Sequence, residues 1–162
     1  MSQLYIKQKI FSWGDKFKIY NKYGDTVFEV KGEVFSLGKK LHIYDTHSEE
    51  VAFIHQKLLT FLPKYYINRN GDDIAEVVKK FTVFKAKYHI KQFGWEINGN
   101  VTDHQYQIKK GSKVIAQISK KWLAWGDTYE IDTVPTEDIV NVLCVVLVID
   151  AVKAAQDAAA AT

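Results

Sequence analysis

The 162-residue chain has one cysteine, Cys144, two prolines, one methionine and a single arginine, Arg69. One cysteine excludes an intramolecular disulfide framework and a four-thiolate zinc site. The two prolines and nine glycines leave no Pro- or Gly-rich linker at which the chain could divide, so residues 1–162 read as one domain. One arginine against 21 lysines (22 basic residues in all) argues against sequence-specific reading of nucleic acid, which favours the bidentate guanidinium fork. The longest apolar stretch, residues 139–149, is broken only by Asn141. It is shorter than the roughly 17 residues a membrane helix needs. No apolar run follows Lys7 and Lys9, so the N-terminus has no signal peptide. The expectation is a soluble, cytoplasmic protein.

Catalytic signatures are missing as well. There is no P-loop, no Gly-x-Ser-x-Gly and no Gly-x-Gly-x-x-Gly. The histidines, at 42, 47, 55, 89 and 104, have no metal-ligand spacing; only His42 and His47 stand close enough to share a rim. Adjacent carboxylates occur as Glu49-Glu50, Asp72-Asp73 and Glu137-Asp138, beside turns or at a helix start, where solvation or capping accounts for them. Cys144 sits in apolar surroundings that suit an inert thiol. The residues therefore predict no cofactor, no metal and no enzymatic activity.

What is present is β pattern. Ile, Val, Phe, Tyr and Thr recur in short runs through residues 1–133, enough for about twelve strands. Lys16–Tyr20 alternates, with Phe17 and Ile19 on one side and Lys16 and Lys18 on the other. Gly24-Asp25, Asn70-Gly71, Asn98-Gly99-Asn100 and Lys110-Gly111 read as hairpin turns. A unit repeats: a turn residue, then apolar-x-x-apolar, at Val27-Phe28-Glu29-Val30, Val51-Ala52-Phe53-Ile54, Ile74-Ala75-Glu76-Val77 and Ile115-Ala116-Gln117-Ile118. Repetition of that kind fits hairpins winding up and down around one sheet. A second echo relates Trp13-Gly14-Asp15 to Trp125-Gly126-Asp127, read as two equivalent tight turns rather than a duplicated site.

After Pro135 glycine and proline disappear, and residues 136–161 read as one long helix with Glu137 and Asp138 in its first turn. Its 139–149 portion is apolar all round, so it must be buried on every side. A closed antiparallel barrel of about twelve strands with the helix inside satisfies both halves. Asp150 marks where the helix leaves the apolar interior, and Asn141 needs an interior partner. A helix in the lumen disfavours a lipocalin-like carrier.

Several motifs then occur in a fixed order. They include Gly14-Asp15-x-Phe17-x-Ile19, Phe28-Glu29-Val30-Lys31-Gly32 and Phe35-Ser36-Leu37-Gly38-Lys39-Lys40-Leu41. Ile54-His55-Gln56-Lys57, Pro63-Lys64-Tyr65, Phe81-Thr82-Val83-Phe84-Lys85 and Trp95-x-Ile97-x-Gly99 follow. Ala116-x-Ile118-Ser119-Lys120-Lys121-Trp122, Gly126-Asp127-Thr128-Tyr129 and Ile149-Asp150-Ala151 complete the series. In this order the chain resembles bacterial members of the LURP-one-related family, in the tubby C-terminal-like superfamily related to phospholipid scramblases. The resemblance implies a twelve-stranded barrel around a central C-terminal helix and no established activity. Tubby-type relatives bind phosphoinositide headgroups through basic side chains, but that site does not map onto this chain position by position. The cysteine cluster associated with scramblases is absent.

Charge is uneven along the chain. Residues 1–56 sum to +1 (8 basic, 7 acidic), residues 57–121 to +8 (13 basic, 5 acidic) and residues 122–162 to −6 (1 basic, 7 acidic). Lys79, Lys80, Lys85, Lys87 and Lys91 interleave with Phe81, Phe84, Tyr88 and Phe93, and Lys120-Lys121 precede Trp122. Lysines among aromatics suit an anionic surface, and those seven lysines are the candidate anion-binding residues. The plain reading is solvated strand lysines that discourage edge pairing. The acidic block around Asp127, Glu130, Asp132, Glu137 and Asp138 could instead pair with these lysines at one rim. Three functional expectations follow: a non-enzymatic cytoplasmic module binding anionic lipid headgroups or a membrane-associated partner, peripheral to the membrane; a protein-docking scaffold in a regulatory or stress response; or an unrecognised enzyme.

Overall fold

A computed structural model describes residues 2–7, 16–33, 36–81, 86–124 and 126–161. Twelve strands form a closed barrel: β1 (Ser2–Lys7), β2 (Lys16–Tyr20), β3 (Thr26–Gly32), β4 (Lys40–Tyr44), β5 (Glu50–Gln56), β6 (Lys64–Arg69), β7 (Asp72–Phe81), β8 (Ala86–Ile90), β9 (Trp95–Asn100), β10 (Gln105–Lys110), β11 (Lys113–Leu123) and β12 (Gly126–Thr133). Each strand pairs antiparallel with its sequence neighbours, and β1 closes the ring on β12 with Leu4 opposite Ile131. One helix, α1 (Ile139–Ala160), fills the lumen. Closure leaves no long sheet edge for another chain to pair with.

The turn-then-strand unit is the half-period of this winding. Gly24, Ser48, Gly71 and Gly111 all have positive φ and each stands one or two residues before an odd-numbered strand. Asn70 and Gly71 both take positive φ, as a two-residue type I′ hairpin requires. The strands that run the other way carry a different repeat. Phe17-x-Ile19, Leu41-x-Ile43, Tyr65-x-Ile67, Tyr88-x-Ile90, Tyr106-x-Ile108 and Tyr129-x-Ile131 stand on β2, β4, β6, β8, β10 and β12. The six isoleucines are buried, and with them Tyr65, Tyr88, Tyr106 and Tyr129. One layer of the lumen is therefore isoleucine and the next is largely tyrosine. Small residues on the intervening strands, Ala52, Ala75 and Ala116, sit opposite Ile43, Ile67 and Ile108 and make room for the helix.

The helix enters after β12. Asp138 is its N-cap, accepting from the backbone amides of Val140 (2.8 Å) and Asn141 (3.3 Å). It thus starts three residues later than the sequence predicts, because Asp138 closes the helix instead of joining its first turn. From Val142 to Val152 every residue except Asp150 is buried. Burial overrides the strand propensity of the five valines in that core segment. At 22 residues, with an apolar window of mean hydropathy 2.0, α1 is by length and composition long and apolar enough to cross a bilayer, although its 139–149 portion is too short. What occupies its apolar faces is the barrel wall.

Two further expectations change. Gly99 does not lie in a turn: Asn98, Gly99 and Asn100 belong to β9, and residues 101–104 make the turn. Gly99 has φ +127, and a Cβ there would sit 2.7 Å from Tyr106 Cα and 2.6 Å from the Gln105 carbonyl oxygen. Glycine is required by that backbone approach, not by a reversal. Asn100 shapes the turn, its side-chain oxygen accepting from the amides of Thr102 and Asp103. Asp150 does not mark the exit from the interior either, since Ala151 and Val152 beyond it are buried. Of the Trp-Gly-Asp echo, Trp13, Gly14, Asp15 and Trp125 lie outside the described residues.

Candidate functional site

The strand directions give the barrel two distinct ends. At the helix-entry end lie residues 21–25, 45–49, 70–71, 91–94, 111–112 and 134–138. At the helix-exit end lie residues 36–39, 57–63 and 101–104, with the termini of β7, β8, β11 and β12.

Inside the exit end, Asp150 is the one acidic or basic residue between Asn141 and Val152 on the helix. Its carboxylate accepts from the Tyr129 hydroxyl and bonds His104 Nε2 at 3.1 Å. The His104 and Tyr129 rings stack with centroids 4.1 Å apart. Burial, together with the Asp150 charge, pushes the Tyr129 and Tyr106 hydroxyls well above the usual phenol range. His104 and Tyr129 are buried and Asp150 nearly so, and their bonds lock the helix to the wall. At the entry end Asn141 has the partner its position demands: Arg69 donates to its Oδ1 at 2.8 Å and pairs with Asp138 at 3.2 Å. Cys144 is buried, and its thiol is pushed up to about 12 by burial, which suits the inert role expected of it.

The seven candidate lysines do not form one cluster. Lys79 continues the lumen-facing row of Ala75 and Val77; it is 4% exposed, with Nζ 5.9 Å from the Tyr88 ring centroid. Burial holds its ammonium below the usual lysine range. It presents no surface charge, which corrects the sequence assignment. Lys91 lies in a 3-10 turn, Lys91–Phe93, at the helix-entry end, away from the others. Lys85 lies outside the described residues, as does Phe84. Lys121 is exposed but pairs with Glu130 at 3.6 Å. Lys120, opposite Tyr129, is exposed at the exit rim. Lys80 and Lys87 remain. They are direct cross-strand partners on the outer wall, both exposed, with no ion pair among the described residues. Like charges directly opposite on a sheet repel, so this pair is a standing cost that an anion would relieve.

Lys87 also lines a cleft. β8 and β9 pair only at His89–Glu96 and Ile90–Trp95, then part toward the exit end. The parting leaves a hollow of about 270 Å³ lined by Lys87, Tyr88, His89, Glu96, Ile97, Asn98 and Lys109. His89 and Glu96 approach to 3.8 Å, but Glu96 is 69% exposed, so this histidine–carboxylate pair sits in water rather than in a desolvated site. Elsewhere His42 is held by Glu33 and Glu50, both at 2.7 Å, while His47 faces Asp45, so these two histidines do not share partners. No group of three or more His, Cys, Asp or Glu among the described residues is arranged to hold a metal.

The split of charge along the chain is thus partly neutralised and partly spatial. Arg69–Asp138 and Lys121–Glu130 join the basic middle segment to the acidic end. Of the other carboxylates of the acidic end, Asp132 and Glu137 lie toward the helix-entry end, whereas Asp127 at the start of β12 and Asp150 and Asp157 on α1 lie toward the exit end, where Lys80 and Lys87 also stand. The charge-bearing alternation of β7 was readable in advance. The pairing with β8 was not, because the turn between them fixes its register.

Sequence reasoning missed a second feature of this end. Leu58, Leu59 and Phe61 are exposed in the β5–β6 loop and Leu37 in the β3–β4 loop. Its signal was the run Leu58-Leu59-Thr60-Phe61-Leu62 between Lys57 and Lys64, apolar with neither period.

Comparison with known proteins agrees with this architecture. The family model described as LURP-one-related matches residues 2–150. The uncharacterised protein YxjI of Bacillus subtilis is 38% identical over 152 residues, covering 94% of each chain. The X-ray structure of a protein from Arabidopsis thaliana superposes with a TM-score of 0.69 over 94% of this chain and 91% of that one. At 19% identity this last likeness speaks for the fold alone. With the family model spanning the whole barrel and the first half of its helix, and a relative of that identity over 94% of the chain, the chain belongs to the LURP-one-related family.

Proposed function

We propose that this protein is a non-enzymatic, cytoplasmic module that binds anionic lipid headgroups at a membrane surface, through the helix-exit end of its barrel. The observation that carries this reading is the Lys80–Lys87 cross-strand pair. It is exposed, lacks a counter-ion among the described residues and stands beside the β8–β9 cleft. A phosphate between the two ammonium groups would remove their repulsion, and each lysine near an anionic surface adds about 1 kcal/mol. The lumen is filled by α1, so a ligand must bind outside the barrel.

The test is co-sedimentation with phosphatidylcholine vesicles with and without phosphatidylserine, at low and high salt. Binding is expected only with phosphatidylserine. It should weaken as the Debye length falls from about 10 Å at 0.1 M to about 3 Å at 1 M. Lys80→Glu with Lys87→Glu should abolish it. Equal retention on neutral vesicles, or none on either, refutes the reading, and preference for a single-stranded oligonucleotide would assign the pair to an acidic polymer instead.

A second reading, a scaffold docking another protein, rests on Trp122. It is 81% exposed at the same end, four strands round the ring from β7. Exposed tryptophan is a common anchor of protein interfaces. Trp122→Ala would remove a co-purifying partner on this reading and leave vesicle binding unchanged.

A further inference from the structure

The loops at the helix-exit end have a feature that local stability does not favour. Leu59 is fully exposed and also takes φ +57, a left-handed conformation that suits glycine or asparagine and strains a branched side chain. Phe61, two residues on, is fully exposed as well. Neither residue gains anything from the folded core. A strained backbone carrying an exposed apolar side chain points to a role outside the fold.

These tips are built, not loose. The β5–β6 loop is closed at its base by the Lys57 amide on the Lys64 carbonyl (2.9 Å) and tied to β7 by the Lys79 amide on the Pro63 carbonyl (3.1 Å). The β3–β4 loop lies against it: a Cβ at Gly38 would meet Leu58 Cδ2 at 2.8 Å, and the Gln56 amide donates to the Lys39 carbonyl at 2.8 Å. Leu37, 85% exposed, stands next to that contact. Leu37, Leu58, Leu59 and Phe61 therefore form one apolar prow. The Pro63–Lys79 bond sets it beside the strand that carries Lys80.

We infer that this prow inserts into the acyl boundary of an anionic bilayer, with Lys80 and Lys87 meeting the headgroups beside it, so that the barrel stands on the membrane by its helix-exit end. Charge complementarity and shape favour a bilayer over a protein partner. The apolar side chains stand on two loop tips, and the neighbouring Lys80 and Lys87 have no ion pair among the described residues. The inference rests on the headgroup reading above and adds to it a penetrating element.

Leu59→Gly separates insertion from folding, because glycine tolerates φ +57 and leaves the fold intact or more stable. With Phe61→Ser, vesicle partition should fall about tenfold or more for each side chain removed. A dye on Leu59→Cys should shift to the blue with phosphatidylserine vesicles and be quenched by brominated acyl chains. The native cysteine, Cys144, is buried and will not compete for label. Unchanged partition of the Leu59→Gly/Phe61→Ser protein, or an unshifted dye while the parent chain binds in a Lys80- and Lys87-dependent way, overturns insertion and leaves the headgroup reading standing. Failure of the parent chain to bind phosphatidylserine vesicles overturns both.

Discussion

Replacing Asp150 with alanine tests whether the tyrosine layer is held by one largely buried carboxylate. The substitution leaves the Tyr129 hydroxyl and His104 Nε2 without their acceptor, and both residues are buried. A buried polar group deprived of its partner costs about 1–3 kcal/mol. Against this, the carboxylate no longer has to be desolvated, and alanine gains roughly 0.5 kcal/mol of helix propensity over aspartate. The balance is a loss of about 3–5 kcal/mol, the range found when one member of a buried pair is removed. For a chain of this size that lowers Tm by roughly 6–20 °C. Urea unfolding followed by tryptophan fluorescence measures it, with Trp95 buried in the wall as reporter. Asp150→Asn, which keeps an acceptor for Tyr129, should cost about half as much. A double-mutant cycle with Tyr129→Phe should return a coupling of about 1.5–3 kcal/mol, as expected for a hydrogen bond to a charged group. A loss below about 1 kcal/mol for Asp150→Ala, or a coupling within the scatter of about 0.5 kcal/mol expected for independent sites, refutes the reasoning.

Gly99→Ala should destabilise by about 2–4 kcal/mol, since it adds a clash with Tyr106 Cα to an unfavourable φ. Gly24→Ala, with nothing within 4 Å of its Cβ, should cost only about 1–2 kcal/mol, and equal losses in thermal melts would contradict the close approach. Lys87→Glu should raise stability by up to about 1 kcal/mol, by turning a repulsive cross-strand pair into an attractive one, while reducing vesicle binding. A drop in Tm would argue against repulsion at the pair. Stability should also fall in acid. The hydrogen bond to His42 holds the Glu33 carboxyl below its usual value, and bonds from His55 and Asn68 outweigh desolvation at Asp73, holding it low as well. The folded chain therefore binds fewer protons than the unfolded one near their ordinary values of about 4.3 and 3.9. Their stabilisation is complete above about pH 5 and lost as pH falls through the depressed folded values. Asp73→Asn should flatten that limb in pH-dependent urea titrations, and an unchanged slope would remove Asp73 from the account.

Much of the architecture was legible because it is periodic. The turn residues at 24, 48, 71 and 111 each precede the same apolar-x-x-apolar unit, and each proved to have positive φ at one end of the barrel. The Tyr-x-Ile repeat of β6, β8, β10 and β12 was equally available and would have located the tyrosine layer around Asp150. Gly99 misled because glycine signals either a turn or a close backbone approach, and only the partner strand says which. Lys79 and Lys80 look equivalent in a list of lysines; the alternation of Ala75 and Val77 puts one inside and the other outside.

By itself, the sequence determined that strands would wind in hairpins and that a helix apolar on all sides would have to be enclosed, since no smaller arrangement satisfies both. Only the tertiary structure decided which charges meet. Asp150 and His104 are 46 positions apart and Arg69 and Asn141 are 72 apart. The exposed prow at Leu37 and Leu59 joins two loops whose contact depends on strand register. Local pattern follows from each residue's own backbone and hydrophobicity, whereas these pairings exist only once the ring of strands has closed around the helix.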